Sequence, residues 1–147
     1  MKNKYEKLVH ETIPVSKAIG WQISLLDSLS IKTITQLSPN INIHGTVFAG
    51  SIYAAGMATG WTLLKCWYDK QGYQAELVAA EGNIKYFEPI TQDFVSSANI
   101  NIHAEQFVKL VDRLKTNKSC GFKQEVEITC KEVICAIMTI QFVFKCT

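Results

Sequence analysis

The chain has 147 residues and a formal net charge of +2, with 48% hydrophobic and 19% charged residues. This length suffices for one domain that buries about two-thirds of its unfolded surface, so neither a disulfide nor a metal is needed for stability. Only one of the 15 basic residues is an arginine, which argues against a nucleic-acid-binding protein, because arginine dominates base and phosphate contacts. The five cysteines have no CxxC spacing, and no metal-ligand spacing occurs. We therefore expect a cytoplasmic protein with reduced thiols and without a metal or cofactor of its own.

The first part of the chain predicts a helical arm followed by a hairpin. Within the arm, residues 1–20, apolar positions at helical spacing indicate a short helix over residues 4–13. Residues 21–27 and 31–37 are typical of two paired strands. Residues 38–45 form a loop rich in turn-forming residues. We expect the whole chain, 1–147, to be a single domain.

A long apolar helix is predicted next, over residues 47–68, with Thr46 as its N-cap. Residues 47–64 carry no charge and contain the pair Gly56 and Gly60, a spacing also found where membrane helices pack together. Small residues make up more than half of this segment, and it is the only one of its kind. These features favour a helix buried in the core of a protein that does not enter a membrane.

The remaining segments predict four strands and one amphipathic helix. The strands cover residues 75–88, 94–102, 121–130 and 133–144, and the helix covers residues 104–115. The last strand is apolar on both faces, so we expect it in the centre of the sheet. The order of elements predicts an α+β fold, in which a curved antiparallel sheet of five or six strands wraps around the long helix. A second subunit is expected to cover the other side of that helix, which makes the protein a homodimer.

Polar residues cluster directly before the long helix. Asn40, Asn42, His44, Gly45 and Thr46 lie where a helix N-terminus offers free backbone N–H groups and a positive dipole end. Together they can form a site that binds an oxyanion. The alternative is that the asparagines and Thr46 only cap the loop and the helix, while His44 packs in the core.

The long motif PNINIHGTVFAGSIY over residues 39–53, followed by TGW at 59–61, resembles the hotdog fold and, within it, the YiiD C-terminal domain family. Further matches are IPVS at 13–16, IKYFEP at 84–89 and the hairpin that carries Cys130 and Cys135. The resemblance covers nearly the whole chain. It implies a fold in which a curved antiparallel sheet wraps around one long central helix.

The resemblance also implies an activity. Members of this family are similar to malonyl-acyl-carrier-protein decarboxylases, which form acetyl-acyl-carrier protein that can prime fatty acid synthesis. This chain resembles the standalone form, in which the asparagine of the catalytic loop corresponds to Asn42. The implied partner is an acyl carrier protein or coenzyme A, and the phosphopantetheine thioester is carried by the substrate.

One departure bears on the choice between decarboxylation and thioester hydrolysis. Many hotdog thioesterases carry an acid in the first turns of the central helix, but Tyr53 stands at the comparable position here, and residues 40–66 contain no carboxylate. Hydrolysis needs an activated water or a carboxylate nucleophile, whereas decarboxylation needs neither. An acid supplied from elsewhere, across a dimer, remains an alternative; the candidates are Asp27, Glu76, Glu81 and Glu88.

These considerations assign a role to each candidate residue. Asn42 orients the thioester carbonyl or the carboxylate, and His44 shapes the loop or supplies a proton. The backbone N–H groups of Gly45 and Thr46 stabilise the enolate oxygen. The two rival functions are those of an acyl-thioester hydrolase and of a protein that binds acyl thioesters without turning them over.

Two further sets of residues are expected to contact the substrate. The acyl pocket is predicted to include Phe48, Ser51 and Tyr53, although packing of the helix explains these residues about as well. A basic face is predicted to dock the acidic carrier protein or the phosphates of coenzyme A, and a solvated surface is its alternative. Its members are Lys109, Arg113, Lys115 and Lys118.

Overall fold

The computed structural model describes residues 1–146 and contains six strands and four α-helices. The helices are α1 (Lys2–Thr12), α2 (Pro14–Ala18), α3 (Ala49–Gln71) and α4 (Glu105–Lys115). The strands are β1 (Trp21–Leu26), β2 (Ser30–Thr35), β3 (Ala75–Tyr86), β4 (Phe94–Asn99), β5 (Cys120–Cys130) and β6 (Val133–Cys146). The predicted order of elements is therefore confirmed.

All six strands belong to one antiparallel sheet in the order β1-β2-β4-β5-β6-β3. This curved sheet lies against the long central helix α3, so the predicted α+β architecture is confirmed. Strands β1 and β3 are the two edges. The strand predicted at the centre, β6, is an interior strand next to the edge strand β3, and its ladder to β3 runs from Cys146 opposite Ala75 to Ala136 opposite Tyr86.

The helix α3 is buried along most of its length because small residues let the sheet approach it closely. A side chain at Gly56 would begin 2.7 Å from the sulfur of Met138, and one at Gly60 would begin 3.1 Å from Ile140 Cδ1. The two glycines therefore accommodate β6, and they do not form a contact between helices. Within residues 1–146, no helix combines the length and the hydropathy that crossing a membrane requires.

The N-terminal arm and β1 also pack against this helix. The Tyr5 hydroxyl donates a hydrogen bond of 2.8 Å to the Asp69 carboxylate near the end of α3. The buried Trp21 at the start of β1 donates from its indole nitrogen to Thr59 Oγ1 at 3.1 Å. These bonds fix the arm and β1 on α3. They leave one strip of the helix half-buried, and Met57 and Trp61 lie on it.

The β5–β6 hairpin turns at Lys131 and Glu132, which have φ angles of 53° and 65°. Two successive residues with positive φ are the geometry of a tight hairpin turn that normally selects asparagine and glycine. The sequence predicts this turn only weakly because positions 131 and 132 contain neither asparagine nor glycine. The long ladder between β5 and β6 holds the turn in this conformation.

Candidate functional site

The loop before α3 closes on itself between Asn42 and Thr46. The Asn42 N–H donates to the Thr46 carbonyl at 2.8 Å, and Gly45, with a φ of 76°, donates back to the Asn42 carbonyl at 3.1 Å. Ile41 and Val47 form an isolated β-bridge at the base of the loop. The loop is thus a small closed hairpin that holds the Asn42 side chain in one place.

The side chain of Asn42 organises this hairpin. Its Oδ1 accepts hydrogen bonds from the N–H groups of His44 at 2.9 Å and Thr46 at 3.2 Å. Its Nδ2 donates to Thr46 Oγ1 at 2.9 Å, and a second, long contact of 3.5 Å reaches the Val47 carbonyl. A contact of that length is at the limit of a hydrogen bond. One amide hydrogen of Asn42 is therefore weakly held and available to a ligand, while His44 presents an exposed side chain at the turn.

The predictions for Gly45 and Thr46 need correction. Both N–H groups are occupied by Asn42, so they are not free donors for a substrate oxygen. Thr46 is also not the N-cap, because α3 begins at Ala49 and Phe48 occupies the cap position without a side-chain hydrogen bond. The physical reason lies just before the helix. The Val47 N–H donates to Ile90 O at 2.9 Å, which holds this segment away from the helical path.

A buried asparagine anchors the preceding turn. Asn40 is 4% exposed, and its Nδ2 donates to the Ile19 carbonyl at 2.7 Å and to the Gln36 carbonyl at 2.6 Å. Its own carbonyl accepts the N–H of Phe48 at 2.7 Å. Asn40 thus ties the arm, the end of β2 and the start of α3 together, and its role is structural.

The free donors at this site are those of Ala49 and Gly50, which sequence analysis did not identify. Within residues 1–146, neither N–H group has an acceptor. They form the first turn of α3, where the helix dipole favours negative charge. The sequence did not reveal these donors because Thr46 is a residue type that favours the N-cap. The predicted start of the helix was therefore too early in the chain. Unoccupied N–H groups in the first turn of a helix can bind an oxygen that becomes negatively charged.

A pocket of about 330 Å³ is lined by Ala49 and Asn42, whereas Gly50 is not among its lining residues. The Tyr86 hydroxyl lies on its wall and donates to the Ala49 carbonyl at 2.8 Å. Burial, together with the neighbouring Tyr53, raises the pKa of Tyr86, so it stays protonated and remains a donor. Glu88, an exposed residue, also lines the pocket. The same chain thus supplies a carboxylate to the pocket, although residues 40–66 contain none.

A second, strongly apolar cavity of about 410 Å³ lies between the arm, α3 and β3. Of the three residues predicted for the acyl pocket, Tyr53 lines this cavity. Its hydroxyl lies directly over Gly82 of β3, where any side chain would collide with it. Phe48 is 58% exposed and packs its ring against Gly50, and Ser51 is half-buried in the first turn of the helix. The structure thus places one of the three beside an apolar space.

The predicted basic face divides into two parts. Lys109 and Arg113 line a groove of about 410 Å³ between α4 and β5, whereas Lys115 and Lys118 are not among its lining residues. A third cation, Lys123 of β5, completes the groove. Sequence analysis missed Lys123 because the pairing of α4 with β5 that brings it there is a tertiary contact.

Comparison with known proteins identifies the family. A family model described as "Putative thioesterase (yiiD_Cterm)" matches residues 2–146. A crystal structure of a "putative thioesterase" from Shewanella oneidensis is 26% identical, with a TM-score of 0.87, and the match covers 98% of this chain and 96% of that one. Two further crystal structures share the fold. The first is a protein of unknown function from Chlorobaculum tepidum, with a TM-score of 0.90 and 19% identity, and the match covers 99% of this chain and 94% of that one. The second is a thioesterase from Haemophilus influenzae, with a TM-score of 0.77 and 12% identity, and the match covers 99% of this chain and 91% of that one. The chain therefore belongs to the YiiD C-terminal family of thioesterase-type proteins and has the hotdog fold.

Proposed function

We propose that this protein decarboxylates a malonyl thioester, with malonyl-acyl-carrier protein as the substrate and acetyl-acyl-carrier protein as the product. One observation supports this proposal above all. Asn42 and Ala49, whose N–H group is free, line one pocket, and neither the loop nor α3 carries an acid as far as Cys66. A carboxylate in the first turns of α3 would repel the malonyl carboxylate, and none is present there.

The proposed reaction uses these donors and, for its final proton, His44. The bond between the α-carbon and the carboxylate breaks, carbon dioxide leaves, and the electron pair moves into the thioester carbonyl to form an enolate. The N–H group of Ala49 stabilises the enolate oxygen as its charge grows. Asn42 orients the thioester with its weakly held amide hydrogen. The enolate then takes a proton on the α-carbon, and the exposed His44 is the proposed donor.

Hydrolysis of an acyl thioester is the second candidate, and Glu88 favours it. A carboxylate in the pocket of Asn42 could activate a water molecule for attack on the thioester carbonyl. The same donors would stabilise the negatively charged oxygen of the tetrahedral intermediate. A protein that binds acyl thioesters without turnover would use the same pocket as well.

Mass spectrometry of the products distinguishes these functions. After incubation with malonyl-acyl-carrier protein, we expect acetyl-acyl-carrier protein to accumulate. Glu88→Gln should not lower its rate, because the proposed decarboxylation uses neither a general base nor a carboxylate nucleophile. A free carrier thiol that disappears in Glu88→Gln would instead establish hydrolysis. Unchanged substrate would point to a binding protein.

We further propose that the active form is a homodimer joined through β3. This strand is an edge of the sheet, with no partner on its outer side among residues 1–146. Val78 on it is 39% exposed, and Phe87 just after it is 53% exposed. Open apolar edges are otherwise avoided in soluble proteins. Sedimentation should show a dimer, and a stable, active monomer would contradict the proposal. A reducing compartment such as the cytoplasm remains our proposal for its location, since all five thiols are free.

A further inference from the structure

Two spaces follow one another between α3 and β3. The catalytic pocket of the proposed reaction, of about 330 Å³, is lined by Ala49 at the start of α3 and by Tyr86 at the end of β3. The apolar cavity of about 410 Å³ is lined by Met57 and Trp61 further along α3, and by residues 77–79 earlier in β3. The two spaces therefore occupy successive stretches of the same helix and the same strand.

The ring of Tyr53 stands at the boundary between these stretches. On α3, Tyr53 follows Ala49 by one turn and precedes Met57 by one turn, about 6 Å in each direction. On β3, its hydroxyl lies directly over Gly82, which separates the part of the strand that lines the apolar cavity from the part that lines the catalytic pocket. The ring thus reaches from the helix to the strand where one space ends and the other begins.

Gly82 is the residue that lets the ring reach the strand. A side chain at this position would collide with the Tyr53 hydroxyl and would begin 3.6 Å from Met57 Cε. Burial raises the pKa of Tyr86, and the neighbouring Tyr53 raises it further, so the two phenol groups lie near each other. Tyr53 therefore adjoins a wall residue of each space, with Tyr86 on one side and Met57 on the other.

The apolar cavity has the dimensions and the chemistry of an alkyl-chain site. It extends along α3 from Tyr53 to Trp61, which is about 12 Å. Its walls are almost entirely apolar, and they include Ile13 and Ile19 of the arm and Leu77 of β3. Each methylene that leaves water strengthens binding about fourfold. A thioester with a long acyl chain would gain affinity if the catalytic pocket opened into this cavity, and the ring of Tyr53 blocks that route.

We propose that Tyr53 is a specificity-determining residue, whose ring closes the catalytic pocket against the apolar cavity and so restricts the site to short acyl groups such as malonyl. This inference rests on the proposed function and names the residue that sets the acyl length. The ring acts by occupying space, so phenylalanine at this position should exclude a long chain as well as tyrosine does.

Calorimetry with two thioethers tests the closure without any turnover. S-ethyl-pantetheine and S-octyl-pantetheine differ only in chain length, and neither has a thioester that the protein could cleave or decarboxylate. In Tyr53→Ala, the ratio of octyl to ethyl affinity should rise at least about tenfold above that of the wild-type protein, because the additional methylenes enter the apolar cavity. The matched control, Tyr53→Phe, keeps the ring and should leave the ratio near that of the wild-type protein. An unchanged ratio in Tyr53→Ala, or an equal rise in Tyr53→Phe, would overturn the proposal.

Two further variants locate the chain and guard against misfolding. Ala54 lines the apolar cavity and is half-buried, so Tyr53→Ala/Ala54→Phe refills the space that the first substitution opens. This double variant should lose the gain in octyl affinity, and retention of the gain would contradict the proposal by placing the chain outside the cavity. If Tyr53→Ala does not fold, Tyr53→Leu removes the part of the ring that reaches Gly82 and should also raise the ratio. An unchanged ratio in a folded Tyr53→Leu would count against the closure.

Product analysis separates this inference from the proposed function. With carrier-protein thioesters of malonate and hexylmalonate, the wild-type protein should favour malonate in kcat/KM, and Tyr53→Ala should reduce this preference at least about tenfold. A wild-type protein that decarboxylates both substrates equally well would overturn the role of Tyr53. Absence of decarboxylation of either substrate, with the octyl affinity still raised in Tyr53→Ala, would overturn the proposed function and support the closure by Tyr53.

Discussion

Replacing Asn42 by alanine is expected to lower kcat about 10²–10³-fold, which is the usual effect of removing one donor to a developing oxyanion. The same substitution removes the acceptor of the His44 and Thr46 N–H groups, which should cost about 1 kcal/mol of stability. Measuring kcat together with the melting temperature separates the two effects. A destabilised variant with near-normal kcat would show that Asn42 only holds the loop together.

Two further variants sharpen this test. Asn42→Asp retains an oxygen for the two N–H groups and so preserves the loop, but it loses the amide donor and places an anion near the malonyl carboxylate. It should be inactive yet folded. Thr46→Val removes the hydroxyl that accepts the Asn42 amide at 2.9 Å, while the amide itself remains. This variant should retain far more activity than Asn42→Asp.

Replacing Ala49 by proline is expected to lower kcat about 10²-fold without lowering the melting temperature. Ala49 is the first residue of α3, a position where proline is favoured and where its missing N–H breaks no helical hydrogen bond. The preceding residue, Phe48, has φ −58° and ψ 131°, a conformation that the residue before a proline adopts readily. The substitution therefore removes one proposed oxyanion donor and little else.

The control for this variant is Ala49→Val, which adds comparable bulk at the wall of the pocket but keeps the N–H group. Loss of activity in the proline variant alone would identify the backbone donor. Equal loss in both variants would mean that bulk in the pocket is responsible. Normal kcat in Ala49→Pro would exclude this N–H from the reaction and leave Gly50 as the remaining free donor of the first turn.

The order of elements could be predicted because it depends on local patterns. The long helix has no charge from Val47 to Leu64, and the alternation of β5 from Phe122 to Cys130 indicates one buried face. Both properties can be read within a single segment. For the same reason, the predicted strand ends lie close to the observed ones. Strand β6, for example, begins at Val133 as predicted.

The start of α3 and the composition of the site depend instead on distant contacts. Val47 is held by Ile90, more than forty residues later, and this contact delays the helix beyond the predicted cap at Thr46. Glu88 enters the pocket because β3 returns past the start of the helix, and Lys123 enters the groove because α4 packs on β5. No local pattern carries this information. Asn42 could be identified because the motif around it is specific, whereas its free neighbours at Ala49 and Gly50 could not.

The place of β6 in the sheet determines when the protein can fold as it leaves the ribosome. This strand follows all the others in the chain, yet Met138 and Ile140 on it pack against Gly56 and Gly60 of α3. It is also the only partner of β3 within residues 1–146. The charge-free part of α3, up to Leu64, therefore emerges long before the strand that covers it, and an incomplete chain exposes an apolar surface during translation. A chaperone that shields apolar segments should bind nascent chains that end before β6 and release them once that strand has been made.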